Sequence, residues 1–151
     1  MAHATTHACR TGICSPARSL SCGSSHTWNN GGLGSTDEID IYSCSSWYES
    51  GPEYAYEFVP VGPGQVDVTL SGMSADLDVF VIEESNGLCN SLRCVSYGDS
   101  TTTFGAEAGQ TYYLVVDGYY GAVSAYTIQV NCSLDYPPVG FFPLAMKDFD
   151  R

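Results

Sequence analysis

The sequence predicts an all-β fold: an antiparallel, jelly-roll-like β-sandwich of seven to eight strands with little or no helix. From Ile39 onward, β-branched and aromatic runs are broken by Gly, Asn, Asp and Ser at intervals of roughly ten residues. Within those runs, apolar and polar residues alternate with the period of two that a half-buried strand requires. No stretch keeps the i, i+3, i+4 spacing of an amphipathic helix, and Val, Thr, Tyr and Gly stand where a helix would want Ala, Leu, Glu and Lys.

Residues 1–35 are rich in Ser, Thr, Gly, Asn and Cys and read as an irregular, disulfide-stapled lead-in, with a turn at Asn29-Asn30-Gly31-Gly32. The sandwich is expected over 36–133. In Glu53 to Val59, Tyr54, Tyr56 and Phe58 share one face and Ala55 and Glu57 the other, and Pro60 to Gly64 turns the chain. Val66, Val68 and Leu70 alternate with Gln65, Asp67 and Thr69, and Ser71-Gly72 ends that strand. Leu77, Val79 and Val81 alternate with Asp76, Asp78 and Phe80. Short strands follow around Val95 to Tyr97 and Thr101 to Phe104. Tyr112 to Val116 is apolar on both faces and belongs at a sheet centre, and Tyr126, Ile128 and Val130 close the domain. Residues 134–151, with Pro137-Pro138, Pro143 and several aromatics, read as a tail or linker whose Phe141, Phe142 and Leu144 either dock on the sandwich or reach another copy.

Charge limits the partners. The 151 residues carry 17 acids against 5 Lys and Arg, and between Ser19 and Leu134 the single basic residue is Arg93. Such a surface repels phosphate backbones and anionic membranes, so nucleic acid is excluded as a partner. A divalent cation or a cationic partner suits it, as does simple solubility. No run of 18 or more apolar residues occurs, so no membrane insertion is expected. Seven cysteines without a Cys-x-x-Cys motif suit an oxidising compartment, although the N-terminal residues show no secretory signal. A processed or fragmentary piece of a longer secreted precursor reconciles the two.

The pattern Tyr54-x-Tyr56-x-Phe58, Val66-x-Val68-x-Leu70-Ser71-Gly72 and Ala75-Asp76-Leu77-Asp78-Val79-Phe80-Val81 continues with Ala108-Gly109-Gln110-Thr111-Tyr112-Tyr113-Leu114-Val115-Val116-Asp117-Gly118. It ends at Gly121-Ala122-x-Ser124-x-Tyr126-Thr127-Ile128-x-Val130. Taken together, these runs resemble the bacterial pre-peptidase C-terminal domain, a jelly-roll sandwich appended to secreted proteases and other exported proteins. The resemblance spans about Asp37 to Cys132. The cysteines depart from the common pattern and resemble a disulfide-rich variant of exported bacterial proteins. A secreted or cell-surface bacterial location is implied.

Asp76 and Asp78 point to the same side of a strand, with Cα atoms about 6.5 to 7 Å apart, and two like charges that close want a cation. Ca²⁺ takes six to eight oxygens, and Asp37, Glu38 and Asp40 offer further carboxylates. The same acids also suit solvated edge positions or turn caps. In collagen-binding members of the resembled family, a calcium site joins acids of the N-terminal linker to acids near this strand. By that resemblance, Asp76 and Asp78 match the strand acids, and Glu38 and Asp40 loosely match the linker acids. Tyr119 and Tyr120, in a Gly-flanked loop, are the candidate ligand contacts, as surface tyrosines near the last strands are in those relatives; loop packing is the alternative.

Among many possible pairings, Cys89 with Cys94 closes a small loop, Cys22 with Cys44 brackets the acidic segment, and Cys14 with Cys132 ties the lead-in to the last strand, leaving Cys9 odd. Cys9, Cys14, Cys22 and His26 fit no zinc spacing. Asp117-Gly118 suits a turn. No hydrolase, zincin, Walker or dinucleotide motif occurs, and catalysis is not expected. The expected function is a non-catalytic extracellular binding module, stabilised by calcium, that adheres to a matrix protein or polysaccharide. The alternative is a structural or assembly element of an exported surface protein that contacts copies of itself.

Overall fold

The computed structural model describes residues 10–135. Eleven strands follow in chain order: β1 Ile13–Cys14, β2 Pro16–Leu20, β3 Ser25–Asn29, β4 Tyr54–Phe58, β5 Gly64–Ser71, β6 Leu77–Glu83, β7 Cys89–Asn90, β8 Cys94–Gly98, β9 Thr101–Ala106, β10 Tyr112–Gly118 and β11 Ala125–Leu134. Two short 3-10 turns, Ser91–Arg93 and Tyr119–Gly121, are the helical structure among the described residues. A five-stranded sheet, β2-β4-β10-β6-β8, faces a four-stranded sheet, β3-β11-β5-β9, while β1 and β7 form a small ribbon. The all-β sandwich expected from the sequence is the observed fold.

Alternation assigns the faces. Tyr54, Tyr56 and Phe58, with Val66, Val68 and Leu70, Leu77, Val79 and Val81, and Tyr126, Ile128 and Val130, fill the space between the sheets. The intervening residues of the five-stranded sheet do not all meet water. Ala55, Phe80, Ile82, Tyr113 and Val115 form a second core with Ile39 and Tyr42 on the sheet's outer face. A single irregular segment, running from Ile39 past Trp47, covers that face, and Tyr42 stacks on Phe80 at 3.8 Å between ring centres. Burial on both faces is why Val79 to Ile82 of β6 and Tyr112 to Val116 of β10 are unbroken apolar runs, with Asp78 and Asp117 at one end.

The lead-in is where the structure corrects the sequence reading. Residues 1–35 were expected to be irregular, yet β2 pairs parallel with β4 and β3 pairs antiparallel with β11. Eight strands lie from Tyr54 onward and three more in the lead-in. Neither β2 nor β3 carries a long apolar alternation, because each is a sheet edge, with most β2 side chains in solvent and those of β3 exposed or half-buried. Asn30 lies in the expected turn, closed by Gly32 N–H donating to Asn29 O, and is also fully buried, donating to the carbonyls of Pro52 and Ala122 while accepting from Ser124 N–H.

The six cysteines expected to pair do so, with different partners: Cys14–Cys89, Cys22–Cys132 and Cys44–Cys94, at Cα separations of 5.2, 5.5 and 5.3 Å. None of the expected pairs, Cys89 with Cys94, Cys22 with Cys44 or Cys14 with Cys132, forms. Cys14 and Cys89 are register partners in the β1–β7 ribbon. The turn at Ser91–Arg93 separates Cys94 from Cys89 and directs it to the covering segment, where Cys94 N–H donates to Ser43 Oγ. Cys22 lies in the turn after β2, whose Gly23 N–H reaches Val130 on the last strand, and so faces Cys132. Cys9 lies outside the described residues, as do Phe141, Phe142 and Leu144.

Candidate cation site

One row of the five-stranded sheet gathers acids. Asp117 on β10 is opposite Asp78 on β6, and Val116 is opposite Tyr54 of β4, which puts Glu53 one step on, beside Asp117. Val79 is opposite Gly98 of β8, which puts Asp99 beside Asp78. Glu53, Asp117, Asp78 and Asp99 therefore follow one another across four neighbouring strands, spaced by about 4.8 Å per strand. Like charges set side by side in a sheet are unfavourable, and burial sharpens that cost. Glu53, Asp78 and Asp117 are 1%, 2% and 0% exposed.

Each end of the row is satisfied differently. Glu53 Oε2 accepts from Thr36 Oγ1 and from Glu38 N–H, both at 2.8 Å, while its Oε1 is buried without a donor. Asp117 accepts from Tyr42 O–H at 2.6 Å and from the N–H of Gly118 at 2.8 Å. At the other end, the carboxylate oxygens of Asp76, Asp78 and Asp99 lie within 4.8 Å of one another. Glu49 of the covering segment, 0% exposed and with neither carboxylate oxygen meeting a donor, adjoins the carboxylate of Asp78.

Desolvation, chiefly, pushes the pKa of Glu49 and of Asp78 upward, and Asp76 and Asp99 push both in the same direction. Burial likewise raises Asp117, with the Glu53 charge adding to it, and raises Glu53 against the hydrogen bonds it accepts. Asp76 is raised by desolvation and by Asp99. No arginine among the described residues relieves this cluster. Arg10 is paired with Asp40 at 2.9 Å and Asp37 at 3.4 Å, Arg93 with Glu83 at 3.7 Å, and Arg18 acts on His26.

The cluster opens into a cleft of about 230 Å³ lined by Trp47, Asp76, Asp78, Asp99 and Tyr119. Backbone bonds lace its walls together: Tyr119 N–H to Asp76 O, Tyr120 N–H to Tyr48 O, Gly51 N–H to Gly118 O and Glu49 N–H to Asp40 O. Gly118 permits this closeness, because a Cβ there would sit 1.9 Å from the carbonyl oxygen of Ala122. Two aromatic rings, Trp47 and Tyr119, line the cleft, and further rings pack on them. Trp47 meets Tyr97 edge-on at 5.0 Å, Tyr119 meets Tyr120 at 4.6 Å, and Tyr120 meets Tyr48 at 5.3 Å. Tyr120 is 67% exposed with a left-handed φ of 48°, a conformation that costs a non-glycine residue about 1 kcal/mol or more.

The sequence matches no protein-family model and no curated protein. Among solved structures, the pre-peptidase C-terminal domain of a collagenase from Bacillus anthracis superimposes with a TM-score of 0.51 at 14% identity, over 78% of this chain and 97% of that one. The fold is that of a pre-peptidase C-terminal domain. PliG of Aeromonas hydrophila, a periplasmic inhibitor of g-type lysozyme, aligns over 78% of this chain and all of its own length at 13% identity, with a TM-score of 0.45. Three disulfides suit an oxidising compartment.

Within this pre-peptidase C-terminal fold, the acids named from sequence divide into two groups. Asp76 and Asp78 come together; Glu38 and Asp40 do not join them. Asp40 is 1% exposed and held by the Arg10 guanidinium, and the Glu38 backbone serves Glu53, so these two belong to the Arg10 end of the covering segment. Glu49, Asp99 and Trp47 were missed. Asp99 announces itself only through register, in the Gly98-Asp99-Ser100 turn, and Glu49 lies in a stretch with no periodicity. Tyr119 lines the cleft and Tyr120 stands outside it. His26 sits on β3, where its Nδ1 is 2.9 Å from Tyr56 O–H, which in turn bonds Tyr126 at 2.7 Å.

Proposed function

We propose that the chain is a non-catalytic, exported binding module that holds one Ca²⁺ at Asp76, Asp78 and Asp99, backed by Glu49, and adheres to a matrix polymer through the aromatic rings beside it. Glu49 carries the reading. A carboxylate accepts hydrogen bonds and donates none when ionised, so a fully buried one that faces three other acids is satisfied by a proton or by a metal ion. Geometry favours the metal. With Ca–O distances of 2.3–2.6 Å, ligands on opposite sides of the ion lie about 4.6 to 5.2 Å apart, so oxygens within 4.8 Å of one another fit a single shell. An all-oxygen set suits calcium better than zinc, which prefers nitrogen and sulfur.

Bound calcium would neutralise the acid row and fix the segment carrying Trp47 and Glu49 to the strand end carrying Asp76 and Asp78. Catalysis has no support in the placement of His26, whose ring is packed against Trp28 and Tyr54 and bonded to Tyr56. Thermal unfolding in calcium and in chelator tests the proposal. With calcium a hundredfold above its Kd, the melting temperature rises by roughly 5 to 10 °C. Identical melting in the two conditions would refute it.

A further inference from the structure

We infer that the cleft above Asp76, Asp78 and Asp99 takes one neutral sugar ring, whose vicinal hydroxyl pair coordinates the calcium while Trp47 and Tyr119 wall its apolar faces. This inference rests on the calcium reading above and adds the ligand class. Three observations carry it.

The first is the orientation of the site. Asp78 and its neighbour Glu49 are buried, while Asp76 and Asp99 are exposed and all three aspartates line the cleft, so the coordination positions that the carboxylates leave face the cleft. Calcium wants six to eight oxygens, more than three aspartates supply, and neutral oxygens complete the shell. Two adjacent hydroxyls on a rigid ring present such a pair at little entropic cost.

The second is the wall chemistry. Trp47 and Tyr119 line the same cleft as the acids. Each ring is fixed in place by a second ring in edge contact, Tyr97 for Trp47 and Tyr120 for Tyr119. The Tyr119 backbone is also tied to Asp76, so a wall and a ligand move together. A sugar has polar edges for the metal and C–H faces for aromatic rings, and here both kinds of surface meet in one place.

The third is size and charge. At about 230 Å³ the cleft is smaller than the roughly 300 to 1,000 Å³ of sites for drug-sized molecules, so it accepts one ring of a longer glycan. A chain with 17 acids and 5 Lys and Arg disfavours an anionic ligand, which selects a neutral sugar over a uronate or sulfated one.

The test uses the full chain passed over beads that display mannose, galactose or fucose, and over collagen beads, in calcium and in chelator. It is run beside a calcium titration of the same protein. Retention on at least one of the sugars in calcium, abolished by chelator, is expected. Trp47→Ala should still bind calcium, which also shows that the variant is folded, and, compared with the parent when both are saturated with calcium, weaken sugar retention by roughly three- to tenfold. Calcium binding without retention on any sugar, retention on collagen alone, or sugar retention that survives chelator would each overturn the inference while leaving the calcium reading in place. Absence of calcium binding overturns both.

Discussion

Glu49 and Asp78 meet carboxylate to carboxylate, 0% and 2% exposed, and no donor reaches either oxygen of Glu49. One comes from an irregular covering segment and the other from the third-placed acid of a sheet row, so two independent parts of the chain bring charge to one buried point. A fold that tolerates this contact has something to gain from what sits between the two.

Replacing Glu49 with Gln supplies at every pH the donor that the carboxyl offers only while it holds its proton. In chelator at alkaline pH, Glu49→Gln should therefore raise the unfolding free energy by about 1 to 2 kcal/mol, because an amide N–H can bond the Asp78 carboxylate. The same variant should lose most of the stabilisation that calcium gives the parent. Urea denaturation of both proteins in both conditions measures the four values; a Gln variant that is less stable in chelator would count against the contact as described.

The raised acids make the stability of the metal-free protein fall as pH rises. Burial keeps Glu49, Asp78, Asp117 and Glu53 protonated to higher pH in the folded chain than in the unfolded one. The stability from that difference is complete below the ordinary carboxylate range and is lost as pH rises through the raised values. His26, lowered by burial, acts in the opposite sense and loses its contribution as pH falls through its lowered value, but it is one partly exposed ring. In chelator, the urea midpoint at about pH 5.5 should exceed that at about pH 8, and calcium should raise the pH 8 value most.

The disulfides should separate stability from binding. Cys22–Cys132 closes a span of 110 residues and Cys44–Cys94 one of 50, so removing either by paired Cys→Ser substitution costs about 2 to 5 kcal/mol. Cys44 lies five residues before Glu49 on the covering segment, whereas Cys22–Cys132 ties the turn after β2 to β11 of the other sheet. Loss of Cys44–Cys94 should therefore weaken calcium binding as well, and loss of Cys22–Cys132 should leave it unchanged. Calcium titration of the two folded variants checks this, and equal affinities would contradict it.

Asn30 fastens the lead-in to the back of the aromatic loop through three hydrogen bonds while fully buried. Asn30→Ala should cost about 2 to 4 kcal/mol, since it strands the Pro52 and Ala122 carbonyls and the Ser124 N–H together. Chemical denaturation measures the loss; a change below about 0.5 kcal/mol, the size of an ordinary surface substitution, would show that the clamp is idle.

These residues also show which parts of the molecule the sequence discloses. The alternation of Val66, Val68 and Leu70 and the two-faced run Tyr112 to Val116 reflect burial directly, so the sandwich and its central strand were legible. The edge strands β2 and β3 bury little and leave almost no periodic trace. The pairing of Asp76 with Asp78 is local and visible in one strand. The neighbours that complete the site arrive through strand register, for Asp99, and through a long-range covering segment, for Glu49, and neither is written in local spacing. The cysteine partners were hidden for the same reason: Cys14 faces Cys89 because β1 pairs with β7, not because of their separation along the chain.

The central claim is that the acid cluster at the end of the sheet row binds a divalent cation, and calorimetric titration of Ca²⁺ into chelator-treated protein tests it most directly. The account predicts a single-site isotherm for the parent chain and its loss in Asp78→Ala, with the near-ultraviolet circular dichroism of the variant preserved. No heat from the parent, or an unchanged isotherm in a folded Asp78→Ala, would contradict it.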